Sequence, residues 1–385
     1  MKKSILFCCY GIGIGGIEKC MINLLNALDA TKYEIDVLPM NPEYALRDMI
    51  RTDVRLLDPF DYVMNTTDTL EALVSKKASV LDYGKYVIFR LVNKWGDKPW
   101  KLFKAPPKMY DIAIAYAHTG YVPYYIIDNV SAKKKYMWHH EGRYIIDARY
   151  KLDKEYYPKF DAIIPVSKDD RNILVEVFPE LIDRFHVLYN VLDKEEIRKK
   201  AQESIDYCTD GAVLKITTVG RLTNQKGPDI LLEVADKLRE KGINFLWYWV
   251  GSGDREGWLK NEAELRGLSQ YICLMGNQKN PYPFIANCDI YVQPSRYEAY
   301  CTTTLEAQVL EKPIVVTDVC GMREQFRDGE DGILTAVDAE AIANAIIELY
   351  YDLEKREKLR RALSKKMRSK DKILKEYYEL FDRNF

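Results

Sequence analysis

Short apolar runs alternate with longer amphipathic stretches from one end of the chain to the other. Apolar runs at residues 4–9 (around Ile5, Leu6 and Phe7), 34–39, 53–57, 111–116, 136–139, 161–166 and 185–189 predict strands in the first half. The second half repeats the theme, with strands expected at 213–219, 245–250, 271–275, 289–293 and 313–317. Between them lie helical periodicities. Ile17, Met21, Leu24, Leu25 and Leu28 share one face of a helix expected over 16–29, and a second helix is expected over 227–240. Strand–helix alternation of this kind predicts an α/β fold, with parallel sheets covered by helices on both faces. Residues 194–211 are charged and polar, with Tyr207 as their one aromatic, and read as a linker. The expectation is two Rossmann-like domains facing an interdomain cleft: an N-terminal domain over 1–195, a C-terminal domain over 196–365, and a final helix in 366–385 that packs back on the first domain. Open α/β sheets bind ligands beyond the carboxyl ends of their strands, so functional residues are expected just after strands.

Composition narrows the function classes. A length of 385 residues with 47% hydrophobic and 30% charged positions suits two ordinary globular cores. A net charge of −1 offers no reason to expect a nucleic-acid partner. The eight cysteines show no C-x-x-C pair, and several lie in apolar runs, as reduced thiols in a cytoplasmic protein would. The opening MKKSILFCCYGIGIGG imitates a signal peptide, but its apolar run of about six residues is too short for one. No stretch approaches the ~18 apolar residues of a membrane span. No D-x-D sequence occurs, so no metal site is expected.

Three segments carry candidate chemistry. Gly11, Gly13 and Gly16 form G-x-G-x-x-G between the first strand and the first helix, the spacing of a dinucleotide loop. That reading needs an acidic residue at the end of the second strand. Asp36 comes too early and Glu43 lies beyond Pro42. A tight turn without a ligand, or a loop approaching a sugar or phosphate at a helix N-terminus, remain the alternatives. In the second half, Gly220-Arg221-Leu222-Thr223-Asn224-Gln225-Lys226 follows a strand and precedes a helix. Two cationic side chains there suit a leaving diphosphate, although an Arg–Lys pair on a solvated loop is the plainer reading. Glu298 and Glu306, eight residues apart, flank Cys301, Thr302, Thr303 and Thr304 at a second strand-to-helix junction. Glu306 is suited to accept the two ribose hydroxyls, and the backbone N–H groups of 301–304 to meet phosphate. Surface charge is the alternative for the two glutamates alone.

VGRLTNQKG (219–227), VGSGDRE (250–256), QPSRYEAYCTTTLEA (293–307) and KPIVVTDVCGMREQFRDGEDG (312–332) together resemble family 4 of the retaining glycosyltransferases, which have the GT-B fold. The first half resembles that family more weakly, in Gly15-Gly16-Ile17-Glu18, Val166-Ser167 and Tyr189-Asn190-Val191-Leu192-Asp193. The resemblance implies transfer of a sugar from a nucleotide-sugar, with a UDP-sugar favoured, and with neither cofactor nor metal. It assigns Glu298 to the donor-sugar hydroxyls, Glu306 to the ribose, Arg221 and Lys226 to the diphosphate, and Gly16 and Gly220 to the donor site. Trp138-His139-His140 matches a Trp-x-His pattern that makes His140 a catalytic candidate, against the alternative of an ordinary loop histidine. Ala299-Tyr300 departs from the family's usual Gly-aromatic pair, which leaves the donor sugar open.

Residues 76–108 bear nine lysines and arginines against Asp82 and Asp97, interleaved with aromatic residues. An in-plane helix on an anionic membrane has that composition, and so does an insertion packed on its own domain. The membrane reading makes the acceptor a glycan linked to a polyprenyl lipid and the enzyme peripheral on the inner face of the cell membrane. Rival readings are a non-catalytic sugar-nucleotide binding protein and a GT-B-fold isomerase or phosphorylase.

Overall fold

The computed structural model describes residues 2–59, 80–94, 98–147, 149–205, 213–363 and 369–383. The first sheet contains β1 (Lys3–Cys9), β2 (Tyr33–Pro39), β3 (Arg55–Leu56), β4 (Tyr110–Ala115), β5 (Ala132–His139) and β6 (Ala162–Pro165), in the order β3-β2-β1-β4-β5-β6. The second contains β7 (Leu214–Val219), β8 (Phe245–Val250), β9 (Ile272–Leu274), β10 (Ile290–Gln293), β11 (Ile314–Thr317) and β12 (Ile333–Thr335), in the order β12-β11-β10-β7-β8-β9. Every pairing within both sheets is parallel. Parallel strands are buried on both faces. This is why β1 reads as a continuous apolar run, with Ile5 and Phe7 on one side and Leu6 and Cys8 on the other.

The expected α/β architecture of two Rossmann-like sheets is present. The strand expected over 185–189 is not. Phe185 makes one parallel bridge to Ile163, and the His186 and Leu188 N–H groups donate to the Ile163 and Pro165 carbonyls. Pro165 has no N–H to return, so the ladder stops. Conversely β12, only three residues long and on the sheet edge, was not anticipated. The first part of the expected linker is the helix Lys194–Lys200, whose N-cap Asp193 accepts from the Glu196 N–H. Its Ile197 packs with Tyr282 and Leu305 of the second domain. Residues 206–212 lie outside the described residues.

The helix Lys370–Asp382 crosses to the first domain. Ile373, Leu374, Tyr377, Leu380 and Phe381 join the core formed by Ile5, Phe7, Tyr136 and Trp138. The Tyr377 hydroxyl donates to the Tyr189 carbonyl (3.2 Å) and Lys370 pairs with Asp193 (2.8 Å).

In each sheet the strand order reverses beside the first strand, at β1/β4 and at β7/β10. A crevice opens at the carboxyl ends there because the flanking connections leave in opposite directions. The two crevices face one another and form a single cleft of about 540 Å³.

Candidate active site

The cleft takes residues 9–11, 14–21 and 116–119 from the first switch point, and 219–221, 225–226, 297–303 and 306 from the second. Gly16, His140, Gly220, Arg221, Lys226, Glu298, Cys301, Thr302, Thr303 and Glu306 all line it. Thr304 does not. Its hydroxyl lies within hydrogen-bond reach of the Cys301 carbonyl (2.8 Å) and Gln325 Oε1 (2.5 Å), to one of which its single proton goes, and its N–H is taken up by Cys301 Sγ, so it faces the interior of the second domain.

The loop after β7 is shaped by its neighbours. Gly251 and Gly253 lie so close to the 220–222 backbone that a Cβ would come within 2.2 Å of the Gly220 oxygen and 2.3 Å of the Leu222 oxygen. Arg221 is exposed on this loop and makes no hydrogen bond or ion pair with another described side chain. Lys226 has turned inward. Its Nζ donates to Glu298 Oε1 (2.5 Å), and Ser295 Oγ donates to the same oxygen (2.6 Å). Burial pulls the Lys226 pKa down, but the Glu298 carboxylate outweighs it and leaves the ammonium more basic than usual.

Glu298 sits on the loop after β10, not on the helix that follows. Gly321, with φ of +74°, packs beneath this loop, where a Cβ would lie 2.0 Å from the Ala299 oxygen. Glu306 belongs to the helix Thr302–Val309 and is 1% exposed. Tyr282 donates to its Oε1 (3.3 Å), while its Oε2 is buried and meets no partner among the described residues. Burial raises the Glu306 pKa, offset in part by Lys19 and by the Tyr282 hydroxyl. Lys19 Nζ lies 5.0 Å above the Tyr282 ring.

The helices Gly16–Ala27 and Thr302–Val309 begin opposite one another across the cleft, joined by Cys20 Sγ and Thr302 Oγ1 at 3.2 Å. Their N-terminal dipole ends and the two cations make this region favourable for anionic oxygens.

The first domain contributes a histidine cluster. His139 Nδ1 meets both oxygens of buried Asp170 (2.9 and 3.0 Å). Burial works against its protonation, but Asp170 wins and raises its pKa. His118 Nε2 meets Glu141 (3.0 Å), and its Nδ1 accepts the His140 N–H (3.3 Å). Burial, reinforced by His139, pushes the His118 pKa down to about 4, while the His118 hydrogen bond holds Glu141 at about 2. Burial and the neighbouring histidines push His140 well below the ordinary histidine range. Its ring donates to the Tyr116 carbonyl, and its buried Nε2 has no partner among the described residues. The proton is therefore on Nδ1, and Nε2 presents a bare lone pair. Asn190 Oδ1, also at the cleft wall, is likewise an unpartnered acceptor.

The glycine loop is not free for a dinucleotide. A Cβ on Gly13 would fall 2.3 Å from the Glu43 carboxylate, and the Ile12 N–H donates to the Glu43 carbonyl (2.7 Å). A negative charge thus lies over the glycines, where pyrophosphate would be repelled. Asp36 is held in the sheet by Arg55 (2.9 and 2.5 Å) and by the Tyr110 hydroxyl (2.7 Å).

Sequence reasoning missed Lys19, Tyr282, Ser295, Asp170 and Glu141. Lys19 and Glu141 line the cleft, Tyr282 and Ser295 hold its two glutamates from behind, Asp170 braces His139, and no spacing within the chain announces any of them. Among the described residues no group of three His, Cys, Asp or Glu side chains is placed to hold a metal ion.

Residues 209–366 match the family model for glycosyl transferases group 1. A curated relative from Campylobacter jejuni, N-acetylgalactosamine-N,N'-diacetylbacillosaminyl-diphospho-undecaprenol 4-alpha-N-acetylgalactosaminyltransferase, is 30% identical over 220 residues, 56% of this chain and 57% of that protein. The chain spans about half the length of such curated relatives. Among solved structures, Anabaena Alr3699/HepE in complex with UDP-glucose superposes with a TM-score of 0.72 at 16% identity, covering 98% of this chain and 99% of that one. A glycosyltransferase from Rickettsia africae gives 0.69 at 18% identity, covering 99% and 98%. These likenesses show the two-domain GT-B fold, and residues 209–366 carry the likeness to the glycosyl transferases group 1 family.

Proposed function

We propose that this chain is a family 4 retaining glycosyltransferase that moves a sugar from a nucleotide-sugar, a UDP-sugar first among them, to a hydroxyl of a lipid-linked glycan. The observation that carries the reading is the convergence of Arg221, Lys226, Glu298 and a buried, half-satisfied Glu306 on one interdomain cleft. Glu306 Oε2 lacks a donor, and a ribose hydroxyl supplies one. Arg221, Lys226 and the N–H groups of Thr302 and Thr303 receive the diphosphate, each charge-assisted bond contributing about 1.5–3 kcal/mol. Glu298 accepts donor-sugar hydroxyls, and so does the bare Nε2 of His140. Negative charge that builds on the leaving diphosphate is met by these fixed cations, so no metal is needed. The acceptor hydroxyl attacks the anomeric carbon from the face the diphosphate is leaving, and a phosphate oxygen takes its proton.

The names of relatives favour the same substrates. HepE was crystallised with UDP-glucose, and the Campylobacter relative acts on a diphospho-undecaprenol. The helix Val80–Lys94 supports a peripheral position on an anionic membrane surface. Val80 (89% exposed), Leu81 (76%), Val87, Ile88 and Leu91 present apolar surface, and Arg90 adds positive charge. Arg90 acts electrostatically on Tyr121, and the next residue back, Gly120, lies against Tyr10 at the cleft mouth. Residues 76–79 and 95–97 of the basic aromatic segment lie outside the described residues. No helix among the described residues is long and apolar enough to cross a membrane.

Thermal-shift titration with UDP-, GDP- and ADP-sugars, with and without EDTA, tests the site. A UDP-sugar should stabilise the protein equally in both conditions, and Arg221→Ala should abolish most of the shift. Stabilisation that disappears with EDTA rejects the metal-free reading. For the membrane, co-sedimentation with phosphatidylglycerol vesicles should fall in a Leu81→Ser, Ile88→Ser, Leu91→Ser variant, and unchanged pelleting rejects that contact.

A further inference from the structure

The loop that follows β5 reaches across the cleft and rests on the loop that carries Glu298. Arg143 Cζ lies 3.6 Å from the centre of the Tyr297 ring, a cation–π contact between the two domains. Beside it Gly142, with φ of +69°, comes so close that a Cβ would stand 2.1 Å from the Glu298 carbonyl oxygen. The reaching loop is itself braced. The Gly142 N–H donates to Asp170 (3.1 Å), Asp170 is paired with His139, and Arg143 Nε donates to Glu141 (3.3 Å), which is held by His118. On the other side, Tyr297 is tied to the phosphate loop. Gln225 Nε2 donates to the Tyr297 carbonyl (3.0 Å), and the Arg296 N–H donates to the Gln225 carbonyl (2.8 Å). Lys226 is the next residue.

We propose that Arg143 is a positioning residue, a closure latch whose guanidinium seats on Tyr297 and thereby fixes Glu298 and Lys226 in register only when the two domains come together. The inference rests on the donor-site reading above. It adds that a first-domain side chain touching no substrate controls the placement of second-domain groups. The geometry makes the contact all-or-none. Cation–π attraction fades within a few ångströms of the ring, so separating the domains ends it. Binding energy spent on closure then appears in turnover more than in donor affinity.

The test is a double-mutant cycle on the full chain with Arg143→Met, Tyr297→Leu and both together. Arg143→Lys and Tyr297→Phe serve as conservative controls, since each keeps one half of the contact. UDP release from the preferred UDP-sugar is measured, together with hydrogen–deuterium exchange of peptides spanning 293–301 in the absence of nucleotide. Arg143→Met should lower kcat about tenfold while the UDP dissociation constant changes less than threefold, and Arg143→Lys should recover most of the loss. The double variant should be no worse than either single one, and 293–301 should exchange faster in Arg143→Met than in the wild type. Additive losses, or equal loss in the Lys and Met variants, overturn the latch. Unchanged exchange in Arg143→Met overturns it as well. If the wild type turns over no nucleotide-sugar, the donor-site reading fails, and the exchange comparison still decides the contact.

Discussion

Replacing Glu306 by Gln separates what the cleft needs for folding from what it needs for binding. In the nucleotide-free protein Glu306 is a carboxylate with one weak donor, Tyr282 at 3.3 Å, and one oxygen with no donor among the described residues. Burial raises its pKa, so the folded state holds a proton more tightly than the unfolded chain does. Stability from such a group is greatest below the unfolded value near 4.5 and is lost as pH rises through the folded value. At neutral pH the charge therefore works against folding. Gln has nearly the same shape and no charge, so the nucleotide-free variant should melt at or above the wild-type temperature. Its stability should also lack that downward slope with rising pH. With nucleotide the order reverses. Two ribose hydroxyls donating to a buried carboxylate are worth about 1.5–3 kcal/mol each, of which an amide oxygen keeps part. A net loss of about 3 kcal/mol is roughly a hundredfold in the dissociation constant. Calorimetric titration of UDP into both proteins, with melting curves from pH 5 to 8, measures both halves. UDP binding within threefold of wild type would refute the placement of the ribose on Glu306. A large drop in nucleotide-free stability would refute the account of a strained, unsatisfied carboxylate.

Other outcomes follow from the same geometry. Lys226→Met should cost about 3 kcal/mol of stability in urea titrations, because it leaves Glu298 buried without its cation. Lys226→Met with Glu298→Gln should recover much of that loss while staying inactive. His140→Ala should lower kcat on the UDP-sugar by about a hundredfold with little change in UDP affinity if, as proposed, its Nε2 meets the sugar and not the nucleotide. Because burial holds His140 well below its ordinary range, the wild-type rate should show no step from His140 between pH 6 and 8, and a step near 6.5 that is absent in His140→Ala would contradict the neutral assignment. Gly142→Ala should reduce activity more than stability, since its Cβ meets Glu298 only across the closed cleft.

The sequence by itself determined the layered architecture. Buried parallel strands must be apolar on both faces, and the helices covering them on one, so β1, β7, β8 and their helices announce themselves through periodicity alone. It also placed Arg221, Lys226, Glu298 and Glu306 after strands, where ligands of such sheets bind. It could not resolve β12, which is three residues long, and it took 185–189 for a strand because one missing N–H at Pro165 lies beyond any hydropathy pattern. Only the tertiary structure decided which side chains meet. Lys226 faces Glu298 across 72 residues, Cys20 meets Thr302 across 282, and Asp169 lies beneath Gly321 across 152. It also decided what each group is chemically. Whether His140 carries a proton, whether Glu306 lacks a partner and whether Glu43 blocks the glycine loop depend on burial and on neighbours from distant parts of the chain. Periodicity is a local property of the chain, whereas desolvation and hydrogen-bond pairing exist only once distant segments have folded against one another.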